Sequence, residues 1–354
     1  MKELNKLANE LKKLWETMWP IILAVVLAFL VGALLLLMIG DNPLLAYKTM
    51  FNGAFGSSNR IAETVVKATA LMIMALGTSI AFRCQIWNIG GEGQFVIGVI
   101  LALAIGLNVN LPPALLFPLT FIAAFIGGGL WGSIASYLKV KFNASEVITT
   151  IMLNYVANYF LAWLIRGPMM DPAGHNFPQT PLLADSLHLP ILLKGTRLNF
   201  GLVIGLLLAL IVYYLWKTPF GFSVLLTGES QEVARYSGLD VSKTVLLTMF
   251  ISAGFAGLCG WVEVFGIHYR LLDDISVGYG NLAVVIALLG NLNPIGILFA
   301  SFFFSALIVG GNTMQRMQGI PFSIVDVIQG LVIIFVISRF VFQKWGDKLA
   351  SRNI

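Results

Sequence analysis

The feature that most constrains this chain is a series of apolar stretches, each long enough to cross a lipid bilayer. The first reads IILAVVLAFLVGALLLLMIG, and similar stretches recur almost to the C-terminus. About 20 apolar residues in a helix span the ~30 Å hydrocarbon core. Only 11% of the 354 residues are charged, against about 25% in soluble domains. Since β-barrels require alternating segments of ~10 residues, the sequence predicts an all-α polytopic membrane protein.

Basic residues set the predicted topology. They collect before the first apolar stretch, in the loops after the fourth and sixth, and after the last, which places both termini in the cytoplasm. We expect a basic N-terminal segment at 1–19, a transmembrane domain at 20–340 and a cytoplasmic tail at 341–354. A cytoplasmic loop is expected at 218–243 and an outer loop at 167–197. The ten predicted crossings lie at about 20–40, 62–82, 93–110, 114–138, 146–165, 199–216, 244–266, 279–292, 295–311 and 322–340.

Two glycine-rich strings interrupt the apolar pattern. NIGGEGQ (88–94) lies in the block of crossings 2–5, and SVGYGNLAVVIALLGNLNPIG (276–296) lies in the block of crossings 7–10. By the predicted topology these blocks have opposite orientations. Broken helices in two oppositely oriented blocks are typical of transporters with an inverted repeat and a pathway near the membrane midplane. The sequence similarity between the blocks is weak, so this prediction depends on topology.

Polar residues within membrane segments are candidates for function, because lipid does not solvate them. Asn88, Glu92 and Gln94 in the first interruption could line a translocation pathway; Glu92 could instead cap the following helix. Asn154 could line the pathway or join two helices. Asn291 is a weaker candidate, since it more simply satisfies backbone groups at a helix break.

Two aromatic residues, Phe82 and Trp87, flank the first interruption and could stack on a ring of a ligand. The alternative is packing in the core or against lipid, because 12% of the chain is aromatic. Near the start of the second crossing, Glu63 and Lys67 are four residues apart, which predicts an ion pair on one helix.

The cytoplasmic loop contains the string GESQEVARYSGL (228–239). Its pattern predicts a short helix that begins near Glu229 or Ser230, has Ala234 in its middle and ends at Gly238. A short, partly apolar helix of this kind can dock into a groove on a partner protein. It could equally lie on the headgroups as an ordinary surface loop, and the spacing does not decide between the two.

Four stretches resemble permease subunits of ATP-binding-cassette importers, in the branch of ribose, branched-chain amino acid and nucleoside permeases. GESQEVARYSGLDVSKTVLLTMFISAGFAGLCG is similar to their coupling loop and next span. AFRCQIWNIGGEGQFVIG resembles the AFR-x-G-x-x-NIG-x-EGQ signature of the nucleoside members. SEVITTIMLNYVA and VGYGNLAVVIALLGNLNPIGILFASFFFSAL resemble two further segments, so the resemblance covers about 75–340. The chain departs from the pattern at Gln85, where the family has Gly, at Trp87, where Phe is usual, and at Ser145, where it has Asn.

The resemblance implies a transport subunit that takes up nucleosides by alternating access, in a prokaryotic cell membrane. It implies three partners: an ATPase subunit that binds ATP and Mg²⁺, a second permease subunit, identical or related, and an extracytoplasmic substrate-binding protein. The ATPase is expected to dock on Glu229, Glu232, Ala234, Tyr236 and Gly238. No catalytic residue, metal ligand, cofactor or nucleic-acid partner is expected for this chain itself.

Two alternatives to this function are open at the level of sequence. A permease of the same branch could carry a simple sugar such as ribose or galactose. A secondary transporter driven by an ion gradient would instead use Glu92 as a proton site and would leave the cytoplasmic loop without a partner.

Overall fold

A computed structural model describes residues 23–174, 177–276 and 278–335. The predicted segments 1–19 and 341–354 lie outside this part of the chain. The described residues form thirteen α-helices and two isolated β-bridges. The helices are α1 (Leu23–Ile39), α2 (Pro43–Phe55), α3 (Ser58–Arg83), α4 (Gly91–Asn108), α5 (Pro113–Phe142), α6 (Glu146–Arg166), α7 (Gly201–Leu215), α8 (Pro219–Glu229), α9 (Gln231–Tyr236), α10 (Val241–Glu263), α11 (Tyr279–Leu289), α12 (Pro294–Gln318) and α13 (Ser323–Phe335).

Several described helices are long and apolar enough to cross a membrane, which confirms the prediction of an all-α polytopic membrane protein. Six helices qualify singly, and the pair α7–α8, bent by 71°, brings the total to seven if it is one span. Each of the ten predicted crossings coincides with a helix, but the total of ten stays a prediction. The eighth falls on α11, whose 11 residues extend about 17 Å, little more than half of the ~30 Å core.

The helix starts follow from local sequence. Proline is the first residue of α2, α5, α8 and α12, where its missing N–H costs no hydrogen bond. The side chains of Asn42, Thr218 and Asp240 accept hydrogen bonds from backbone N–H groups in the first turns of α2, α8 and α10. Such caps satisfy donors that a helix leaves unpaired at its N-terminus.

The described residues fall into two compact units. The first consists of residues 23–60 and 306–335. Within it, the Tyr47 hydroxyl donates to the Phe29 carbonyl oxygen at 2.6 Å, which joins α2 to α1. The Gln318 side chain donates to the Thr49 hydroxyl, also at 2.6 Å, which joins α12 to α2.

The second unit, residues 61–305, contains the motifs identified in the sequence. Its centre is formed by α4, α5 and α10, which approach to backbone contact at glycines. A Cβ on Gly98 would lie 2.5 Å from the Gly257 Cα, and a Cβ on Gly257 would lie 2.1 Å from the Ala124 carbonyl oxygen. Small residues at such crossings allow close helix packing where no hydrophobic driving force acts between helices.

The expected outer loop, described except for 175–176, packs along the segment after α10. That helix ends in a π-helical turn, Val264–His268. Backbone N–H groups of Thr180, Leu183 and Leu189 donate to carbonyl oxygens of Leu271, Tyr269 and Phe265. These bonds tie the loop to the π-helical turn and to the residues that follow it.

Candidate functional site

A break of seven residues, 84–90, separates α3 from α4 and contains the start of the first glycine-rich string. The chain turns at Gln85, whose φ of 57° lies in the left-handed region that glycine adopts most easily. This is the position where the resembled family has glycine, so the departure places a strained residue at the turn.

Asn88, a predicted pathway residue, is buried and fully hydrogen-bonded within the break. Its amide nitrogen donates to the Gln94 Oε1 and the Ser252 hydroxyl, both at 3.0 Å. Its amide oxygen accepts from Gly90 N–H at 3.0 Å and from the Gln94 Nε2 at 2.8 Å. These four bonds use both donors and both acceptors of the side chain. Asn88 and Gln94 therefore hold the break in shape and tie it to α10, and in this conformation Asn88 has no free group for a ligand.

Asn154, on α6, closes the break from the other side. Its amide oxygen accepts from Gly93 N–H at 2.8 Å, and its amide nitrogen donates to the Ile89 carbonyl oxygen at 3.0 Å. Since Gly93 lies in the first turn of α4, Asn154 satisfies a donor that the helix leaves unpaired. Of the two roles open to this residue, it performs helix joining here.

The two glycine-rich strings meet. A Cβ on Gly91, the first residue of α4, would lie 3.2 Å from the Gly280 Cα in the first turn of α11. Glu92 lies beside this contact, partly exposed, and its Oε1 accepts from the Asn281 side chain at 3.4 Å. The structure shows no side-chain hydrogen bond at Gly90, the N-cap of α4, but Glu92 lies in the first turn of this helix, where the helix dipole favours a carboxylate. The inverted repeat stays a prediction, but its two expected interruptions are neighbours.

The second string is held by a polar chain that sequence reasoning missed. The Tyr279 hydroxyl donates to the buried Glu263 carboxylate at 2.8 Å, and the Lys67 ammonium donates to the same hydroxyl. The predicted ion pair of Lys67 with Glu63 is wrong, since Glu63 instead lies 3.9 Å from the Arg197 guanidinium. Helix spacing alone favours an i,i+4 pair, but the partner of Lys67 lies 212 residues away.

The remaining pathway candidates differ in exposure. Phe82 is buried and its ring contacts that of Trp87 at 4.9 Å between centroids, whereas the Trp87 side chain is 46% exposed. Asn291 is exposed and left-handed, with φ of 53°, at the turn between α11 and α12. Its neighbour Asn293 caps α12 by accepting from Ile295 N–H. Trp87 and Glu92 thus remain accessible to a ligand at the first break.

The predicted short helix of the cytoplasmic loop is present as α9, with Ser230 as its cap and Gly238 at φ of 81° after its end. Glu229 and Glu232 are exposed, as is Tyr236, whose side chain is 93% exposed. The expectation that Ala234 lies on the docking surface is wrong, because this residue is fully buried. It belongs to an apolar cluster with Phe82, near the end of α3, and with Cys84 and Ile86 of the break.

A second contact joins this loop to the break. A Cβ on Gly228, near the end of α8, would lie 2.1 Å from the carbonyl oxygen of Arg83, the last residue of α3. The Arg83 guanidinium also lies 4.3 Å from the centre of the ring of Trp216, at the end of α7. The loop and the α3–α4 break therefore pack directly on each other.

Comparison with the sequences of known proteins assigns the chain to a family. The model of the branched-chain amino acid transport system permease component matches residues 60–337. The chain is 33% identical to the guanosine ABC transporter permease protein NupP of Bacillus subtilis, over 97% of this chain and 99% of that protein. It is 32% identical to the glucose ABC transporter permease protein TsgB13 of Haloferax volcanii, over 95% and 91%. It is 32% identical to the nucleoside ABC transporter permease protein NupB of Lactococcus lactis, over 91% of each. The chain belongs to the family of branched-chain amino acid transport system permease components.

Proposed function

We propose that this chain is the membrane-spanning subunit of an ATP-binding-cassette importer for nucleosides. The assignment of nucleosides as substrates is based on the similarity to two permeases named for guanosine and nucleosides, each matched over more than nine-tenths of its length. Simple sugars are the second candidate, because an equally similar relative is named for glucose.

The contacts of α9 support transport that is driven by a separate ATPase. The exposed Glu232 and Tyr236 lie on α9, next to the exposed Glu229 at the end of α8, whereas Ala234 is buried among residues of the break. A partner that grips the exposed side can therefore shift the end of α3 without an intervening flexible segment. In this proposal the partner binds ATP and Mg²⁺, and its closure switches the permease between outward-open and inward-open states.

Three further features belong to the proposal. The termini and α9 face the cytoplasm, and the 167–197 loop faces outward, where a substrate-binding protein delivers the ligand. A second permease subunit, identical or related, completes the pathway. The protein acts in the cell membrane of a prokaryote and performs no covalent chemistry.

Uptake in proteoliposomes tests the function. The chain is reconstituted with its ATPase, second permease subunit and binding protein, and uptake of labelled guanosine, adenosine, ribose and glucose is measured with internal ATP. We expect nucleoside uptake that requires ATP and persists when ionophores collapse the ion gradients. Uptake that needs no ATPase but stops with the proton gradient would contradict the proposal and favour an ion-coupled transporter that uses Glu92.

A further inference from the structure

A cavity of about 680 Å³ lies along the C-terminal part of α6. Its volume is within the ~300–1,000 Å³ typical of small-molecule sites. One wall is formed by α6, and the other by the segment that follows the π-helical turn. The lining residues are Asn158, Tyr159, Ala162, Trp163, Arg166, Gly167, Asp273 and Asp274.

The cavity offers aromatic faces. The Tyr159 side chain is 75% exposed and that of Trp163 is 60% exposed. The Trp163 ring stacks on Phe160, with centroids 5.8 Å apart and planes at 24°, which fixes its orientation. An exposed, oriented aromatic face can stack on the apolar face of a sugar or on a nucleobase.

The polar groups of the cavity are available for a ligand. Among the described residues, neither the Asn158 amide nor the Asp274 carboxylate has a hydrogen-bond partner. Asp273, in contrast, forms an ion pair with Arg166. Aromatic and basic residues alone would be explained by anchoring at a membrane interface. The half-buried amide of Asn158, inside a predicted crossing, is not explained in that way, because placing it in lipid without a partner is costly.

The charge of the cavity selects among ligands. Because Arg166 and Asp273 neutralise each other, Asp274 leaves the cavity with one net negative charge. A carboxylate accepts two hydrogen bonds from adjacent hydroxyl groups, whereas it repels a phosphate.

We propose that this cavity binds a neutral ring that carries vicinal hydroxyl groups, with Asp274 on the hydroxyls, Asn158 on a further polar group and Trp163 on the ring face. This assignment rests on the proposed function: the cavity is the site where the permease receives the ribose part of a nucleoside and excludes phosphorylated forms.

The test uses the complete reconstituted complex with Ala162→Cys as a reporter inside the cavity. Both native cysteines, Cys84 and Cys259, are buried, so a water-soluble maleimide reports on the introduced thiol. Its labelling rate is measured with adenosine, 2′,3′-dideoxyadenosine, ribose, glucose or adenosine 5′-monophosphate. Ala184→Cys, on the exposed loop outside the cavity, is the control.

We expect adenosine to slow labelling of Ala162→Cys several-fold and to leave Ala184→Cys unchanged. The dideoxy compound and the monophosphate should protect much less. Adding Asp274→Asn should raise the half-protecting adenosine concentration about tenfold, the loss expected for one hydrogen bond to a charged group. Asp185→Asn, at a fully exposed carboxylate, should not change it. Protection by ribose or glucose equal to that by adenosine would support the site and assign it to the sugar alone.

Two results separate the proposals. If the complex takes up nucleosides but adenosine gives no protection, or protects equally after Asp274→Asn, the cavity is not a ligand site. If ribose or glucose is taken up and protects while nucleosides do neither, the cavity site stands and the proposed nucleoside function fails.

Discussion

Replacing Asn88 by alanine separates the two roles predicted for this residue, ligand contact and support of the break. The substitution removes four hydrogen bonds to Gln94, Ser252 and the Gly90 N–H. Hydrogen bonds within membrane proteins contribute about 0.6 kcal/mol each on average. We therefore expect a loss of about 2–3 kcal/mol in the free energy of unfolding, and a fall in melting temperature of roughly 3–4 °C.

A thiol-reactive fluorescent dye measures the melting temperature in detergent, because Cys84 and Cys259 are both buried and react only on unfolding. Nucleoside uptake is measured in parallel over a range of concentrations. If Asn88 supports the break, the variant should melt earlier and transport less, with an unchanged KM. Asn108→Ala, at an exposed amide near the end of α4, should change neither quantity.

The supporting role of Asn88 is refuted if Asn88→Ala melts like the unsubstituted protein and shows a raised KM. That outcome would mean that the amide contacts the passing ligand, and that the four groups bonded to it find other hydrogen-bond partners without loss of stability.

Three further predictions follow from backbone geometry and burial. Gln85→Gly should raise the free energy of unfolding by about 0.5–1 kcal/mol, since it relieves a left-handed residue; Gln85→Ala, which keeps the strain, should give no gain in the same melting assay. Gly257→Ala should lower the free energy of unfolding by about 1–3 kcal/mol, because the added methyl meets a backbone oxygen of α5. Gly330→Ala, whose added methyl would lie in open space, should not lower the melting temperature. Ala234→Asp should melt at a lower temperature, because it buries a charge. A normal melting temperature would contradict the inward placement of this residue. Tyr236→Ala should have a normal melting temperature but should weaken co-purification of the ATPase.

Some features could be predicted from local sequence because their causes are local. Apolar stretches of about 20 residues have no stable arrangement in water and predict the membrane helices. Ser230 and Gly238 delimit α9 because a hydroxyl caps a helix start and a left-handed glycine follows a helix end.

The direction in which a residue faces was harder to predict. A helix of six residues is too short for its periodicity to reveal which side packs, so Ala234 was expected on the surface and is buried. Lys67 was expected to pair along its own helix, but α11 brings the Tyr279 hydroxyl within reach.

The sequence alone thus determined that the chain is a helical membrane protein of the permease family, with a polar interruption at Asn88–Gln94 and a short helix in its cytoplasmic loop. Tertiary structure decided what those residues do. It turned Asn88 towards Ser252, placed Asn154 over the start of α4 and brought Gly91 against Gly280. These partners are 61 to 189 residues apart, and such pairings depend on how whole helices cross, which no local pattern encodes.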